Sequence, residues 1–484
     1  MTSSATLPIK DFVPADYWQW GDPSAGTITC WLVARPAADS FLASVTPAQK
    51  KLLQLANFPE SSLYYLPNGA NKEDIIYIYQ QDAEESHWSP LAFSALPALL
   101  TQTNQLSCQV RFFQPTAITR ASCYNFFQGL AIGYYDFLPF KKDNKIKPKL
   151  FFVHDDKPFH HITNDDWQEL LILATAIHRG RDLINLPANY LGPAELAEQV
   201  ATIGKRHDAT VRHWVGEELL AANFPLIYHV GKGSSRAPRL VELRWWQEHH
   251  PLLCLVGKGV CFDSGGLNLK NGNGMWLMKK DMGGASIALN LADAIMANHL
   301  PYRLMLLLPM AENMPDGQSY RPSDILTARN GLRIEVGDTD AEGRLLLADA
   351  LAYGCEHQPE MMIDFSTLTG AARVAVGTDM SAFFCNDASI SQQLIASGND
   401  RHDHLWPLPL YKPYRSLLNS NHADISSTGH SHYAGAITAA LFLQQFIGDV
   451  HPWVHIDTMA WQVSGAPGQV VGGVPMSLLA CYDF

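Results

Sequence analysis

Asp340 and Glu342 stand two residues apart in the stretch Gly337-Asp338-Thr339-Asp340-Ala341-Glu342-Gly343-Arg344-Leu345, with Arg344 two positions further on and an apolar helical pattern behind them. Two acids held close in a turn that leads into a buried element repel each other and lose hydration, a cost relieved when a cation sits between them. The stretch therefore reads as half of a metal site. Acids are also favoured at a helix N-terminus on their own account, so a solvated loop entering a helix would show much the same pattern. What decides between the two is whether the chain supplies a second half.

A second half is present in Val256-Gly257-Lys258-Gly259-Val260-Cys261-Phe262-Asp263-Ser264-Gly265-Gly266 and its continuation through Lys270 to Lys279-Lys280-Asp281-Met282-Gly283-Gly284. Asp263 follows the end of an apolar run, in a turn whose glycines permit close backbone approach. Asp281 precedes the Gly-Gly that opens a helix. If Asp263, Asp281, Asp340 and Glu342 converge, their charge matches two divalent cations. An amine near such ions is pushed toward its neutral form and can ligate, while another that stays protonated can stabilise developing negative charge.

Other chemistry is weaker in this chain. Phe262-Asp263-Ser264-Gly265-Gly266 contains the D-S-G-G of chymotrypsin-like nucleophiles, but Phe262 stands where a permissive glycine is needed and no matching histidine segment precedes it. Gly257-Lys258-Gly259 and Gly231-Lys232-Gly233-Ser234 do not complete a phosphate loop and read as turns. His422, His430 and His432, like His160 and His161, lie in polar segments with no H-E-x-x-H helix, and read as surface or loop histidines.

The elements that must position these residues follow a strand, loop, helix rhythm. Leu252 to Gly257, Arg303 to Leu308, Met361 to Phe365 and Trp453 to Ile456 are short apolar runs suited to a sheet covered on both faces. Ala285 to Asn298 and Arg344 to His357 are helical. Asn330-Gly331 marks a hairpin whose second strand, Leu332 to Val336, delivers the chain into the acidic stretch. The pattern predicts an α/β fold of two domains: a smaller, variable N-terminal α/β domain over 1–160, a linking helix over 161–186 capped by Asn164, and a larger catalytic domain over 187–484. Its mixed, mainly parallel sheet should gather ligands at the strands' carboxyl ends. The N-terminal part shows strand-like runs at Thr27 to Val33, Asp74 to Tyr79 and Gln109 to Phe113 and helical ones at Pro47 to Ala56 and Ser122 to Tyr135, with no chemical constellation. The lysine run Lys141, Lys142, Lys145, Lys147, Lys149 reads as a solvated loop before a strand.

At 484 residues the chain exceeds one ordinary core, and no apolar run approaches the length of a membrane span. The start, Met1 to Lys10, does not resemble a secretion signal, so a cytoplasmic location is expected. Eight cysteines without a C-x-x-C pair read as free, buried thiols. The net charge of −12 argues against non-specific binding to nucleic acid or anionic membrane. Residues 1–160 carry 13 basic against 14 acidic side chains, so the acidic excess lies in the part that holds the motifs, which suits cations and positively charged substrate ends.

Asp338-Thr339-Asp340-Ala341-Glu342-Gly343-Arg344-Leu345 resembles the signature of the leucyl aminopeptidase family, the dinuclear, hexameric cytosolic aminopeptidases. Pro309-Met310-Ala311-Glu312-Asn313-Met314, Arg321-Pro322-Ser323-Asp324, the block from Val256 to Gly284, and Ser366-Thr367-Leu368-Thr369-Gly370 are similar too. The resemblance runs from about Gly129 to near the C-terminus and is strongest between 256 and 370. It implies hydrolysis of the N-terminal residue from peptides with a free α-amine by a bridging water activated by two divalent metals, Zn or Mn foremost and Co or Mg as alternatives. It further implies that Asp263 and Glu342 bridge both metals, that Asp340 ligates one, and that Asp281 and Lys258 ligate the other. By the same resemblance Lys270 polarises the scissile carbonyl, Arg344 holds a bicarbonate that relays a proton, Leu368 offers its backbone carbonyl, and Met278, Thr367 and Gly370 line the pocket for the first side chain. A homohexamer is implied as well. The competing expectations are a dinuclear hydrolase of another amide or ester, and a regulatory or DNA-binding protein on the same scaffold. Two departures stand out. Asp338 replaces the family's usual Asn, adding a fifth carboxylate with consequences for metal preference or local pKa, and His455-Ile456-Asp457-Thr458-Met459-Ala460-Trp461 differs from the commoner small-residue version.

Overall fold

The computed structural model describes the chain apart from residues 1–6, 8–12, 14–16, 21–27, 60–62, 68–72, 80–89, 103–106, 113–118, 143–146, 148, 153–161, 246–248, 448–451 and 464–470. His160, His161 and Lys145 lie outside the described residues, as do Phe113 and most of the first ten positions. The chain forms two compact units, one built on residues between Lys10 and His178 and the other on Arg179–Val463 and Gly472–Phe484. The division falls inside the helix Asn164–Asn185. Among the described residues no helix is long and apolar enough to cross a membrane.

The first unit is a six-stranded sheet of β1 (Trp18–Trp20), β2 (Ile28–Ala34), β3 (Leu63–Pro67), β4 (Glu73–Tyr79), β5 (Ser107–Phe112) and β6 (Lys149–Phe152) in the order β1-β6-β5-β2-β4-β3. All neighbours are parallel except the edge strand β3. Alternate residues of β5 are buried, and Cys108 and Val110 join Cys30, Leu32, Phe126, Phe127 and Phe152 in one core. The helix Arg120–Tyr134 supplies Phe126 and Phe127 and is capped by Thr119, whose side chain accepts from Ser122 N. The lysine run does end at a strand, with Lys149 opening β6. All eight cysteines are free, six of them buried, and burial pushes the Cys108 and Cys123 thiols up to about 12.

The second unit contains β7 (Thr210–Val215), β8 (Arg239–Trp245), β9 (Leu252–Gly257), β10 (Gly259–Asp263), β11 (Arg303–Asn313), β12 (Ile325–Thr327), β13 (Arg333–Glu335), β14 (Met361–Ser366), β15 (Ser381–Cys385), β16 (Leu405–Pro407), β17 (Ile425–Ser426) and β18 (Trp453–Asp457). Its main sheet runs β16-β15-β18-β14-β9-β11-β8-β7, with β10 also paired to β11. The centre, β18-β14-β9-β11, is parallel, and β8 and β15 join it antiparallel. Every residue of β9 is buried, as expected for a strand covered on both faces. The helices Gly283–Ala297 and Glu342–Cys355 are apolar nearly all round and buried along most of their length. The expected hairpin is present as β12 and β13, paired antiparallel across Asn330-Gly331, and β17 extends it.

β9 stops at Gly257 as expected, but Asp263 is not in a turn: after Lys258 the chain rejoins the sheet as β10, and the long strand β11 pairs with both pieces, through Arg303–Leu307 with β9 and through Met310–Asn313 with β10. Lys258 is fixed at the break by its own backbone: its N–H donates to Phe365 O at 2.9 Å and its carbonyl accepts from Ala285 N at 2.8 Å. The interruption leaves its side chain standing at the carboxyl end of the parallel centre.

Candidate active site

Five parallel strands end side by side, and each closes on a polar residue or is followed at once by one: Lys258 after β9, Asp263 closing β10, Asn313 closing β11, Thr367 after β14 and Asp457 closing β18. This is where an open α/β sheet places its ligands. Two helix beginnings complete the ring. Asp281 lies in the short 3-10 turn Met278–Met282 that runs into Gly283–Ala297, and Glu342 is the first residue of Glu342–Cys355. The positive ends of both helices favour acids at those positions.

The four acids and two lysines expected to meet do so. Oxygens of Asp263, Asp340 and Glu342 lie within 4.8 Å of one another. Lys258 Nζ is 2.8 Å from Asp281 Oδ2 and 2.9 Å from Glu342 Oε1, so it joins the fourth acid to the three. Lys270 Nζ is 2.8 Å from Asp263 Oδ2 and also pairs with Asp340 Oδ1. Gly343 is required by this packing, because a Cβ there would come within 2.6 Å of Lys258 Cε.

Four carboxylates against two ammonium groups leave negative charge in excess, and the acids register it. Burial and then the neighbouring Asp263 push Glu342 up to about 8 and Asp340 up to about 6. Burial alone would lower Lys258, but Asp281, Glu342 and Asp263 outweigh it and hold the amine above its usual range; Lys270 is raised in the same way by Asp263. Among the described residues Glu342 Oε2 is buried with no hydrogen-bond partner, and Asp281 Oδ2 and Asp340 Oδ1 are met only by lysine ammonium groups. Buried oxygens left in this condition, in a set of hard donors with one amine, fit divalent cations.

Asn313, Tyr320 and Asp457 support the site and were not legible as site residues, and Thr367, expected in the substrate pocket, supports it as well. Asn313, fully buried, donates through Nδ2 to Asp263 Oδ1 at 2.8 Å and to Thr339 O at 2.9 Å, tying the two halves together. Tyr320 donates to the same carbonyl at 2.7 Å. Asp457 accepts from Leu368 N at 2.9 Å, Thr369 N at 3.2 Å and Thr369 Oγ1 at 2.6 Å, which fixes the backbone around Leu368. Thr367 Oγ1 donates to Asp281 Oδ1 at 2.6 Å. In the sequence Asn313 stands in the motif 309–314 and Asp457 in the stretch 455–461, neither with a role attached.

Arg344 is buried at 7% exposure, and burial lowers it to about 10. Its Nη1 donates to Ser427 O at 2.6 Å, and its Nε has no hydrogen-bond partner. Asp338 serves as the cap of the 3-10 turn Thr339–Ala341, its Oδ1 accepting from Asp340 N at 2.9 Å, a task an Asn oxygen performs equally well. Ser264 Oγ donates to Asn313 O at 2.7 Å and acts as scaffold. His430 Nε2 lies 3.1 Å from Asn419 O, and His422 Nδ1 lies 3.5 Å from Glu335 Oε1. Neither joins a cluster of metal-ligating side chains among the described residues.

Comparison with known proteins agrees with this geometry. The sequence model of the "Cytosol aminopeptidase family, catalytic domain" matches residues 178–480. A probable cytosol aminopeptidase of Roseiflexus castenholzii is 38% identical over 74% of this chain and 75% of its own length, and one of Persephonella marina is 37% identical over 68% of this chain and 67% of its own. The crystal structure of cytosol aminopeptidase from Coxiella burnetii superposes with a TM-score of 0.87 at 36% identity, covering 97% of this chain and 98% of that one. The bottromycin maturation enzyme BotP in complex with Mn gives 0.82 at 27% identity over 95% and 98%. With its sheet, its strand-end acids and these relatives in agreement, the chain belongs to the cytosol aminopeptidase family, whose members are dinuclear metal-dependent peptidases.

Proposed function

We propose that this metal-dependent aminopeptidase holds two divalent ions on Asp263, Asp281, Asp340, Glu342 and Lys258 and removes the N-terminal residue from peptides with a free α-amine. The observation that carries the reading is the convergence of four carboxylates and two lysines at the carboxyl ends of parallel strands, with buried oxygens that no protein hydrogen bond satisfies. When bound, the ions supply Lewis acidity, acidifying a shared water into a nucleophile and offering the substrate amine a ligand position. That amine requirement makes the enzyme an exopeptidase. In the protein's own field the acids raise Lys258 above its usual range; divalent charge beside it would act in the opposite sense and favour the neutral amine that a ligand must be.

The chain's residues do the rest. Lys270, tethered to Asp263 and partly exposed, is placed to donate to a carbonyl oxygen as negative charge develops there. Arg344 keeps Nε buried and without an acceptor, which suits an anion such as bicarbonate as proton carrier. Asp457 sets the backbone at Leu368, whose carbonyl is the proposed acceptor for the reacting groups, while Met278, Thr367 and Gly370 line the pocket for the first side chain. Zn or Mn, with Co or Mg as alternatives, suits the oxygen-rich donor set, and BotP's complex with Mn supports the choice. A homohexamer in the cytoplasm is proposed from the family resemblance.

Asp340→Ala and Glu342→Ala test the reading. Each should abolish metal-dependent release of an N-terminal residue, and normal turnover by either variant would overturn it.

A further inference from the structure

Lys280 has no part in the chemistry above, yet it lies in the 3-10 turn between Met278 and Asp281. It is 1% exposed, and its Nζ has no hydrogen-bond partner. Asp281 and Asp457 act on its charge from nearby, but a buried amine that no acceptor meets is a costly arrangement, and its retention in a folded chain points to a partner that arrives from outside. The turn is pressed against two segments of the site: a Cβ on Gly283 would lie 2.5 Å from Ala460 Cβ and 3.3 Å from Thr367 Cγ2.

A second cation stands nearby. Arg373, one turn beyond Gly370, brings Nη2 to 3.4 Å from the position a Cβ on Gly370 would take, and its Nη1 donates to Met459 Sδ at 3.4 Å. Arg373 makes no ion pair with a carboxylate among the described residues. The acids closest to these cations are already committed. Asp281 is taken by Lys258 and by the Thr367 hydroxyl, and Asp457 by two backbone amides and the Thr369 hydroxyl. Lys280, two residues from Met278, and Arg373, beside Gly370, thus offer basic groups that no carboxylate of the described residues accepts from.

We propose that the pocket for the substrate's first side chain is built for a carboxylate, so that the enzyme prefers peptides beginning with glutamate or aspartate, the acid lying between Lys280 Nζ and the Arg373 guanidinium. The proposal rests on the aminopeptidase reading and on the placing of Met278, Thr367 and Gly370 in that pocket. The two cations repel each other, and an arriving carboxylate relieves that repulsion as well as the unpaired ammonium. A neutral amide of the same shape supplies no charge, and an apolar side chain leaves both donors unpaired, so discrimination should be strong.

The test uses the full chain loaded with Mn or Zn and the 4-nitroanilides of glutamate, aspartate, glutamine and leucine. The expected result is a kcat/KM for an acidic substrate at least about tenfold above that for glutamine, the discrimination expected of a buried charge-assisted hydrogen bond. Lys280→Met and Arg373→Met should each bring the ratio of glutamate to glutamine close to one. Should Lys280→Met fail to fold, Arg373→Met and the ratio in the unmodified enzyme still decide. Cleavage of glutamine or leucine substrates as fast as the acidic ones, or an unchanged ratio in Lys280→Met, overturns the pocket alone. A metal-loaded protein that cleaves none of the four overturns the aminopeptidase reading and the pocket with it.

Discussion

Glu342 shows how much of the site's cost is concentrated in single atoms. It is buried, begins a helix, shares Lys258 with Asp281, and still keeps one oxygen without a protein partner. Such a residue is tolerable only if its neighbours are held rigidly, and Asn313 is the chief restraint. Removing its amide in Asn313→Ala strips a donor from both Asp263 and the Thr339 carbonyl. We expect a loss of about 1–3 kcal/mol in stability and of roughly 10–100-fold in metal affinity, measured by chemical denaturation and by metal titration calorimetry. At this scale the acids and lysines were legible, because paired charges in a glycine-rich turn have few inexpensive uses. Asn313, Tyr320 and Asp457 were not, since an Asn, a Tyr or an Asp at the end of a strand has many structural uses and only the fold shows what it faces. Asp338 was legible as a departure from the family's Asn, and the fold shows one of its oxygens accepting from the Asp340 amide.

The elements matter through where they stop. The apolar runs of the central strands marked them well, for a strand buried on both faces has little freedom of composition. The end of β9 at Gly257 was legible, but β10 was not: the stretch to Asp263 read as a turn, and only its pairing with β11 shows a strand there. The helix Gly283–Ala297 approaches so closely that a Cβ on Gly284 would sit 2.0 Å from Phe365 O, a backbone atom that cannot move aside. Gly284→Ala should therefore cost about 3 kcal/mol or more, seen as a large fall in melting temperature; a change within error would show that helix and strand can separate. The central strands also carry a buried pair, His455 Nδ1 on β18 at 2.6 Å from Asp364 Oδ1 on β14, with Trp453 Nε1 donating to the other oxygen at 2.8 Å. Burial would lower His455, but Asp364 outweighs it and raises it above its usual value. The stability this pair contributes is fully present below about pH 6.5, the unfolded histidine's value, and is lost as pH rises through the higher folded value. Thermal melts across that window should show the unmodified protein losing stability with rising pH and His455→Gln lacking that part of the slope.

For the whole molecule, the metals should act as ligands of the folded state alone, since four separated segments must be in place before the donors meet. Melting temperature should fall on chelation and recover on adding Mn or Zn, with about 2.7 kcal/mol gained at a hundredfold excess over the dissociation constant. Sedimentation analysis should find six copies of the 53.6 kDa chain, and a monomer would refute the proposed hexamer. The central claim is narrower, namely that the strand-end acids hold metals which act on peptides through a free α-amine. It is tested most directly by following hydrolysis of matched free and N-acetylated aminoacyl substrates by the chelated protein and after readdition of Mn or Zn. The expected result is no turnover without metal and, on readdition, release from the free-amine substrates alone; turnover that survives chelation, or equal cleavage of the N-acetylated substrates, would contradict it.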